Sequence, residues 1–252
     1  MLKWTSASLS DQGVKRADNQ DNFYISDDNR VFVVADGMGG ALGGSIASRL
    51  TVTAIENFWK EAPADLEDVD SIIRWLAEAV NRANETVFGF SEENPSVKGM
   101  GTTVVVGVQD MKGSIHIGHL GDSRAYHVRG DGEFEILTQD HSLVMELFRG
   151  GHITEEQMKE SPFKHYITRC VGHKDRVELE HSPKQMKAGD WLLLCTDGLT
   201  AVLEDDEIAE VLSQAEDVEK ACQKLVELTL EGGAPDNVTV VAVHYEEDDS
   251  KT

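Results

Sequence analysis

The chain has 252 residues, a length that suits one large domain or two small ones and can bury a sizeable core. Its 46 acidic residues outnumber its 23 basic ones, and the resulting net charge of −23 argues against binding to nucleic acid or to an anionic membrane. The three cysteines form no CxxC pair, which excludes a structural zinc site of that type. No apolar run approaches the roughly 20 residues that span a bilayer, so we expect a cytoplasmic protein.

The first half of the chain contains two strand patterns followed by two long helical patterns. Val31–Ala35 is a short apolar run rich in β-branched residues, and Tyr24-Ile25 indicates an earlier strand. Residues 45–59 and 70–88 carry apolar side chains at helical spacing along one face. These two patterns predict a pair of amphipathic helices that pack against a sheet.

The second half contains most of the strand patterns and a second pair of helices. Strands are predicted at 102–108, 114–120, 125–128, 191–196 and 238–244. Two short helical stretches fall within 141–164, and longer helices are predicted at 205–214 and 218–231. Helix pairs between groups of strands favour an α+β fold with antiparallel sheets over a regularly alternating parallel sheet. We predict one domain over 1–245 and an acidic flexible tail over 246–252.

Four aspartates stand beside predicted strands, next to a glycine or at the start of a turn. Asp36, Asp122 and Asp197 each follow an apolar run, and Asp236 precedes one. A single Asp-Gly pair is typical of an ordinary turn. Four such positions indicate more, because a carboxylate at the end of a buried strand is costly unless a cation neutralises it. Oxygen ligands are those that Mg²⁺ and Mn²⁺ prefer, so the pattern predicts a divalent-cation site.

The same residues belong to motifs that resemble the metal-dependent protein phosphatase family, the type 2C class, in its compact bacterial form. The resemblance spans about residues 5 to 245. The motifs follow in family order: Arg16-Ala-Asp-Asn-Gln-Asp21, Asp36-Gly-Met-Gly-Gly40, Gly101-Thr-Thr103, Gly121-Asp-Ser-Arg124, Asp140-His141, Asp197-Gly-Leu199 and Asp236-Asn237. One Asp-Gly-x-Gly-Gly motif alone would be weak, whereas seven in order are highly specific.

The resemblance implies a fold and a set of site residues. The fold is a β-sandwich of two antiparallel sheets flanked on both sides by helix pairs, with a small flap at about residues 145–175. Asp36 resembles the carboxylate that bridges two metals, and Gly37 resembles the residue that gives its carbonyl to the second. Asp197 and Asp236 resemble the remaining ligands of the first metal, and Asp122 together with Asp197 resembles a weaker third metal site. Asp21 resembles the carboxylate that binds waters on the second metal. Arg16 resembles the arginine that binds the substrate phosphate.

The implied activity is hydrolysis of phosphoserine and phosphothreonine in proteins. Two core Mg²⁺ or Mn²⁺ ions, with a third more weakly bound, would lower the pKa of a shared water, and the hydroxide would attack phosphorus directly. The planar fork of Arg16 suits two phosphate oxygens. The implied partners are phosphorylated proteins, targets of a serine/threonine kinase, and we expect a monomer.

The general acid is an open point. Some family members carry a histidine after the Asp-Gly pair, whereas this chain has Met38, whose thioether donates no proton. Metal-bound water and His165, in the flap, are the two candidates. His116, His119 and His141 are interpreted as structural. Arg124 is interpreted as a partner in a salt bridge and not as a second phosphate clamp.

The sequence leaves three other interpretations open. The glycine-rich stretch 37–44 suggests a nucleotide-binding loop, but its spacing fits neither GxGxxG nor a P-loop, and Asp36 would place a negative charge there. A catalytically dead relative that only binds phosphoproteins is disfavoured by the complete aspartate set. A phosphatase that regulates a transcription-factor antagonist would have a narrower substrate range. Hydrolysis of a chromogenic phosphate ester with Mn²⁺, and its loss with chelator, separates enzyme from binding module.

Overall fold

The computed structural model describes residues 2–62, 66 and 68–248. The strands are β1 (Leu2–Asp11), β2 (Asp21–Ile25), β3 (Val31–Met38), β4 (Gly101–Thr102), β5 (Val104–Gln109), β6 (Ser114–Leu120), β7 (Arg124–Val128), β8 (Phe134–Ile136), β9 (Glu180–Gln185), β10 (Trp191–Cys195) and β11 (Val238–Glu247). The α-helices are α1 (Gly40–Lys60), α2 (Val69–Glu93), α3 (Leu143–Arg149), α4 (Glu155–Lys159), α5 (Asp197–Thr200), α6 (Asp205–Gln214) and α7 (Val218–Glu231).

The described strands form two antiparallel sheets. One has five strands in the order β1-β11-β10-β7-β8, and the other has the order β2-β3-β5-β6-β9 with β4 paired to β3. The first sheet carries α6 and α7 on its outer face, and the second carries α1 and α2. The predicted α+β sandwich of helix, sheet, sheet and helix layers is therefore confirmed.

Central strands are apolar throughout because both of their faces are buried. In β3, Phe32 and Val34 face the core between the sheets, whereas Val31 and Val33 pack against α1 and α2. Leu192 and Leu194 of β10 face the same intersheet core from the other side. Strands that are buried on both faces have continuous Val, Leu and Ile runs and no apolar–polar alternation. Packing on both faces also holds the ends of these strands in place, and the site lies at those ends.

The predicted C-terminal tail and the predicted flap lie at the edges of the domain. Glu246 and Glu247, which the sequence assigned to an acidic tail, belong to β11 and pair with Lys3 and Leu2 of β1. Residues 249–252 lie outside the described residues. The flap region contains α3 and α4, and isolated bridges from Ser142 to Ile167 and from Thr102 to Val171 connect its base to the domain. Among the described helices, none combines the length and apolarity that a membrane span requires.

Candidate active site

Carboxylates from both sheets meet at one end of the sandwich. Asp21 opens β2 and stands directly opposite Asp36 of β3 in the strand register. Asp197 follows β10 as the first residue of α5, and its negative charge helps to raise the pKa of Asp36. Asp236 lies just before β11 and adds its negative charge to the surroundings of Asp197. The structure thus brings together Asp36, Asp197 and Asp236, as the sequence predicts.

Burial and mutual repulsion raise the pKa of Asp21, Asp36, Asp122 and Asp197. Burial is the main cause for Asp36, followed by the charges of Asp197 and Asp21. Burial likewise raises the pKa of Asp21 to about 7. Asp122, in the turn between β6 and β7, is only 9% exposed, and burial together with the charge of Asp197 raises its pKa to about 8. Such clustering of like charges is typical of a site that a cation neutralises.

Unpartnered oxygens test whether the residues fit divalent cations. The Oδ1 atoms of Asp21, Asp122 and Asp197 are fully buried, and none accepts a hydrogen bond from the described residues. Buried carboxylate oxygens are almost always satisfied by donors or by metal ions. Oxygen ligands that converge without donors are what Mg²⁺ and Mn²⁺ take, so the donor set fits these ions.

Threonines that the sequence did not single out individually hold the acids in place. Thr103 Oγ1 accepts a hydrogen bond from Asp36 N at 2.9 Å, and Thr102 Oγ1 donates to Asp36 O at 2.7 Å. Thr196 Oγ1 donates to Asp21 Oδ2 at 2.8 Å. These contacts fix the backbone or side chain of two site acids. The Gly101-Thr-Thr103 motif pointed to Thr102 and Thr103. No sequence motif pointed to Thr196, apart from its position directly before Asp197.

Asn237 organises the loop that carries Arg16. Its Oδ1 accepts from Gln20 N at 2.9 Å, and its Nδ2 donates to Gln12 O at 2.8 Å and Asp18 O at 2.9 Å. One buried amide therefore holds both ends of the loop between β1 and β2. The Asp236-Asn237 motif indicated this residue without indicating its partners.

A cleft of about 710 Å³ opens over the acids. Arg16 lines it and donates from Nη2 to Asp236 Oδ2 at 2.5 Å, and its side chain remains 54% exposed. His165 of the flap and Met38 also line the cleft. Asp36 and Asp197 form part of its floor, while Asp21 and Asp122 are buried behind them. A guanidinium beside an acidic cluster is an arrangement that binds a phosphate group next to cations.

The glycines after Asp36 permit close packing. The sequence placed Asp36 after a strand that ends at Ala35, but β3 continues to Met38 because Gly37 and Met38 pair with β4. A Cβ atom on Gly37 would lie 2.1 Å from the carbonyl oxygen of Gly44. The glycine-rich stretch therefore lets the start of α1 approach β3, which accounts for its composition without a bound nucleotide.

The histidines near Asp122 have structural partners. Gly121 N donates to Nδ1 of His141 at 3.1 Å, so His141 supports the turn that carries Asp122, as expected. His141 also stacks on His119 with ring centroids 4.7 Å apart. Arg124 forms a salt bridge with Asp140 at 2.7 Å, which confirms the structural interpretation of that arginine.

Fold and site together define a metal-dependent phosphatase. Residues 11–230 match the model of the family described as Protein phosphatase 2C. The chain is 36% identical over 244 residues to a putative protein phosphatase 2C-type of Streptococcus pyogenes, covering 95% of this chain and 97% of that protein. The chain belongs to the protein phosphatase 2C family.

Solved structures agree with this assignment. The serine/threonine phosphatase PstP/Ppp of Mycobacterium tuberculosis has a TM-score of 0.87 and 35% identity, over 97% of this chain and 99% of that one. A catalytic domain of the serine threonine protein phosphatase PstP in complex with two manganese ions gives a TM-score of 0.85 at 35% identity, over 98% of this chain and 100% of that one.

Proposed function

We propose that the chain hydrolyses phosphoserine and phosphothreonine in other proteins at the cleft over Asp36 and Asp197. The observation that carries this proposal is the set of buried, donor-free carboxylate oxygens beneath a cleft lined by an exposed arginine. The solved relatives named above are serine/threonine phosphatases, and one binds two manganese ions. A cleft of about 710 Å³ has room for a phosphorylated side chain and its neighbours.

The proposed division of labour among the acids follows their positions. Asp36, Asp197 and Asp236, with the backbone of Gly37, would hold two core ions, and Asp122 with Asp197 would hold a weaker third. Divalent cations bound there would supply Lewis acidity, which activates water near neutral pH and offsets the charge of the phosphate. Asp21, buried behind the core acids and fixed by Thr196, would orient water on the second ion.

Arg16 would hold the phosphate group of the substrate. Its guanidinium lies at the cleft surface beside Asp236, and the exposed part of its planar fork can donate two hydrogen bonds to phosphate oxygens. Such bidentate contact positions phosphorus for in-line attack by water on the side opposite the leaving oxygen. His165 lies in the same cleft and is the candidate that protonates the leaving oxygen, since Met38 donates no proton.

The proposed substrates are phosphoproteins, the targets of a serine/threonine kinase, and the proposed working form is a monomer. The test is release of inorganic phosphate from phosphoserine and phosphothreonine peptides with Mn²⁺ or Mg²⁺, and its loss with chelator. Direct hydrolysis predicts that an acid quench traps no labelled protein when the peptide carries ³²P. A stable phosphoenzyme, or turnover that survives chelation and dialysis, would contradict the proposal.

A further inference from the structure

A second cavity lies against the same segment of chain as the catalytic cleft. Its volume is about 310 Å³, and Thr168, Arg169 and Cys170 line one side of it. His165 and Ile167, a few residues earlier, line the catalytic cleft. The segment 165–170 is therefore a wall shared by the two spaces, and the mechanism uses only one of them.

The second cavity is cationic in a strongly acidic protein. Its lining includes Arg169, His173, Lys174 and Arg176, against a single acidic residue, Glu178. The chain as a whole carries a net charge of −23. Lys174 and Arg176 are exposed and form no salt bridge with any residue in the described part of the chain. Because these two positive charges lack a partner, the electrostatic potential at the cavity is opposite in sign to that of the protein as a whole.

Arg169 gives the cavity a fixed wall. Its Nη1 donates to Glu180 Oε1 at 2.6 Å, and Nη2 donates to the backbone oxygen of Glu178. Nη1 also lies 3.0 Å from His141 Nε2. His119, His141 and Glu180 lie close enough together to suggest a metal site. His141 Nε2 and Glu180 Oε1 are 3.1 Å apart, and the guanidinium of Arg169 contacts both atoms, so its positive charge disfavours a metal ion there. The charge of Arg169 is largely met by Glu180, which leaves Lys174 and Arg176 to face a ligand.

A hydroxyl group at the cavity has no partner. Thr168 lines the cavity, and its Oγ1 is buried without a hydrogen bond to any described residue. A buried hydroxyl left unpaired destabilises the fold. Because protein atoms enclose this oxygen, a ligand in the cavity does not touch it, and the anion preference of the cavity comes from its charged residues.

We propose that this cavity binds a second anionic group of the substrate protein, a carboxylate or a phosphoryl group, while the phosphorylated residue occupies the catalytic cleft. The proposal rests on the phosphatase function proposed above. Lys174 and Arg176 supply the charge that such a group would contact. Without such a site, the net charge of −23 would repel acidic substrates from the whole surface.

The test compares peptides that share one phosphoserine core. One carries only neutral residues beyond the core, a second carries glutamates, and a third carries a second phosphate as a phosphonate that resists hydrolysis. The acidic group is placed at several spacings on either side. Each is measured with wild type, with Lys174→Glu/Arg176→Glu, and with Lys220→Glu/Lys224→Glu. This control makes the same charge change on the exposed face of α7, against the other sheet.

The expected result is that wild type prefers an acidic peptide over the neutral one by about fivefold in kcat/KM, mainly through KM, and that the preference weakens in high salt. The Lys174→Glu/Arg176→Glu variant loses or inverts the preference, whereas the α7 control keeps it. The glutamate and phosphonate arms identify which anion is favoured. Equal use of all three peptides by wild type, or a preference that survives in the cavity variant, overturns the inference. Failure to hydrolyse even the neutral peptide counts against the proposed function instead.

Discussion

The guanidinium of Arg124 forms two hydrogen bonds with the carboxylate of Asp140, Nε to Oδ1 at 2.9 Å and Nη2 to Oδ2 at 2.7 Å. Its remaining nitrogen, Nη1, lies 3.4 Å from Asp205. This salt bridge joins two of the sequence motifs. Arg124 ends the Gly121-Asp-Ser-Arg124 motif, which contains Asp122, and Asp140 begins the Asp140-His141 motif. Arg124 is thus committed to holding this turn and is not a second phosphate clamp.

Removing the charge of Asp140 should therefore destabilise the fold. The side chains of Arg124 and Asp140 are only 23% and 15% exposed, so Asp140→Asn leaves a poorly solvated cation. We expect the free energy of unfolding to fall by about 2–3 kcal/mol. The loss is limited because Asp205 still neutralises part of the charge of Arg124. Urea denaturation measures it, and Asp131→Asn, at an exposed turn, is the control. An unchanged midpoint for Asp140→Asn would show that the pair contributes nothing.

The acids of the cleft floor should be indispensable for turnover. Asp36→Asn and Asp197→Asn each preserve side-chain shape but remove a charged ligand, so we expect kcat to fall by about 10³-fold or more. Phosphate release from a phosphopeptide at saturating Mn²⁺ is the measurement, and circular dichroism checks the fold. Residual activity near that of wild type in either variant would show that the cation site lies elsewhere.

The metal-free protein should become less stable as pH rises from about 4 to about 8. The folded-state pKa values of Asp21 and Asp122, about 7 and about 8, exceed the ordinary value of 3.8. Between these limits the folded state binds more protons than the unfolded state, so raising the pH favours unfolding, and the effect ends above the folded-state pKa. Melting temperatures in chelator at several pH values measure the slope.

Two comparisons make the pH experiment specific. Asp21→Asn combined with Asp122→Asn should flatten the slope, because both groups then lack a titrating carboxyl. Adding Mn²⁺ should raise the melting temperature most at the high-pH end, since binding to the native state removes the repulsion there. A melting temperature that rises with pH in chelator would contradict the assignment of the raised pKa values.

Asp122→Ala should weaken the enzyme in a way that depends on metal concentration. Its buried Oδ1 lacks a donor and its charge acts on the same acids, which supports a role in the weaker third site. We expect about a tenfold loss in kcat and a shift of half-maximal activity to higher Mn²⁺ concentration. Asp131→Ala is the matched control on an exposed turn. A metal titration identical to that of wild type would remove the third-ion assignment.

The sequence predicted the layers and the main acids because both leave local signals. Doubly buried strands give apolar runs, and Asp36, Asp122 and Asp197 follow such runs. Strand β1 escaped notice because LKWTSASLSD has no consistent apolar alternation, and its ten-residue pairing with β11 comes from the far end of the chain. Edge strand β9 is polar and contains Pro183, which argues against a strand when the sequence is considered alone.

The residues that hold the site in place were harder to predict from the sequence than the acids that would bind the metal ions. Asn237 reaches backbone atoms of Gln12, Asp18 and Gln20, more than 200 residues away in sequence, and no local pattern shows such contacts. The charge of the second cavity was equally hidden. The basic residues around Lys174 form no run of like charge, and only the fold places them around one space.

His165 should matter for poor leaving groups and not for good ones. It is exposed and lines the same cleft as Asp36 and Asp197, so its imidazole is placed to give a proton to the leaving oxygen of serine. We expect His165→Gln to lower kcat on a phosphoserine peptide by about 100-fold. Hydrolysis of p-nitrophenyl phosphate should change little, because nitrophenolate leaves without protonation. His152→Gln, on an exposed flap position outside the cleft lining, is the control. Equal losses on both substrates would assign His165 to binding, and no loss on either would leave bound water as the acid.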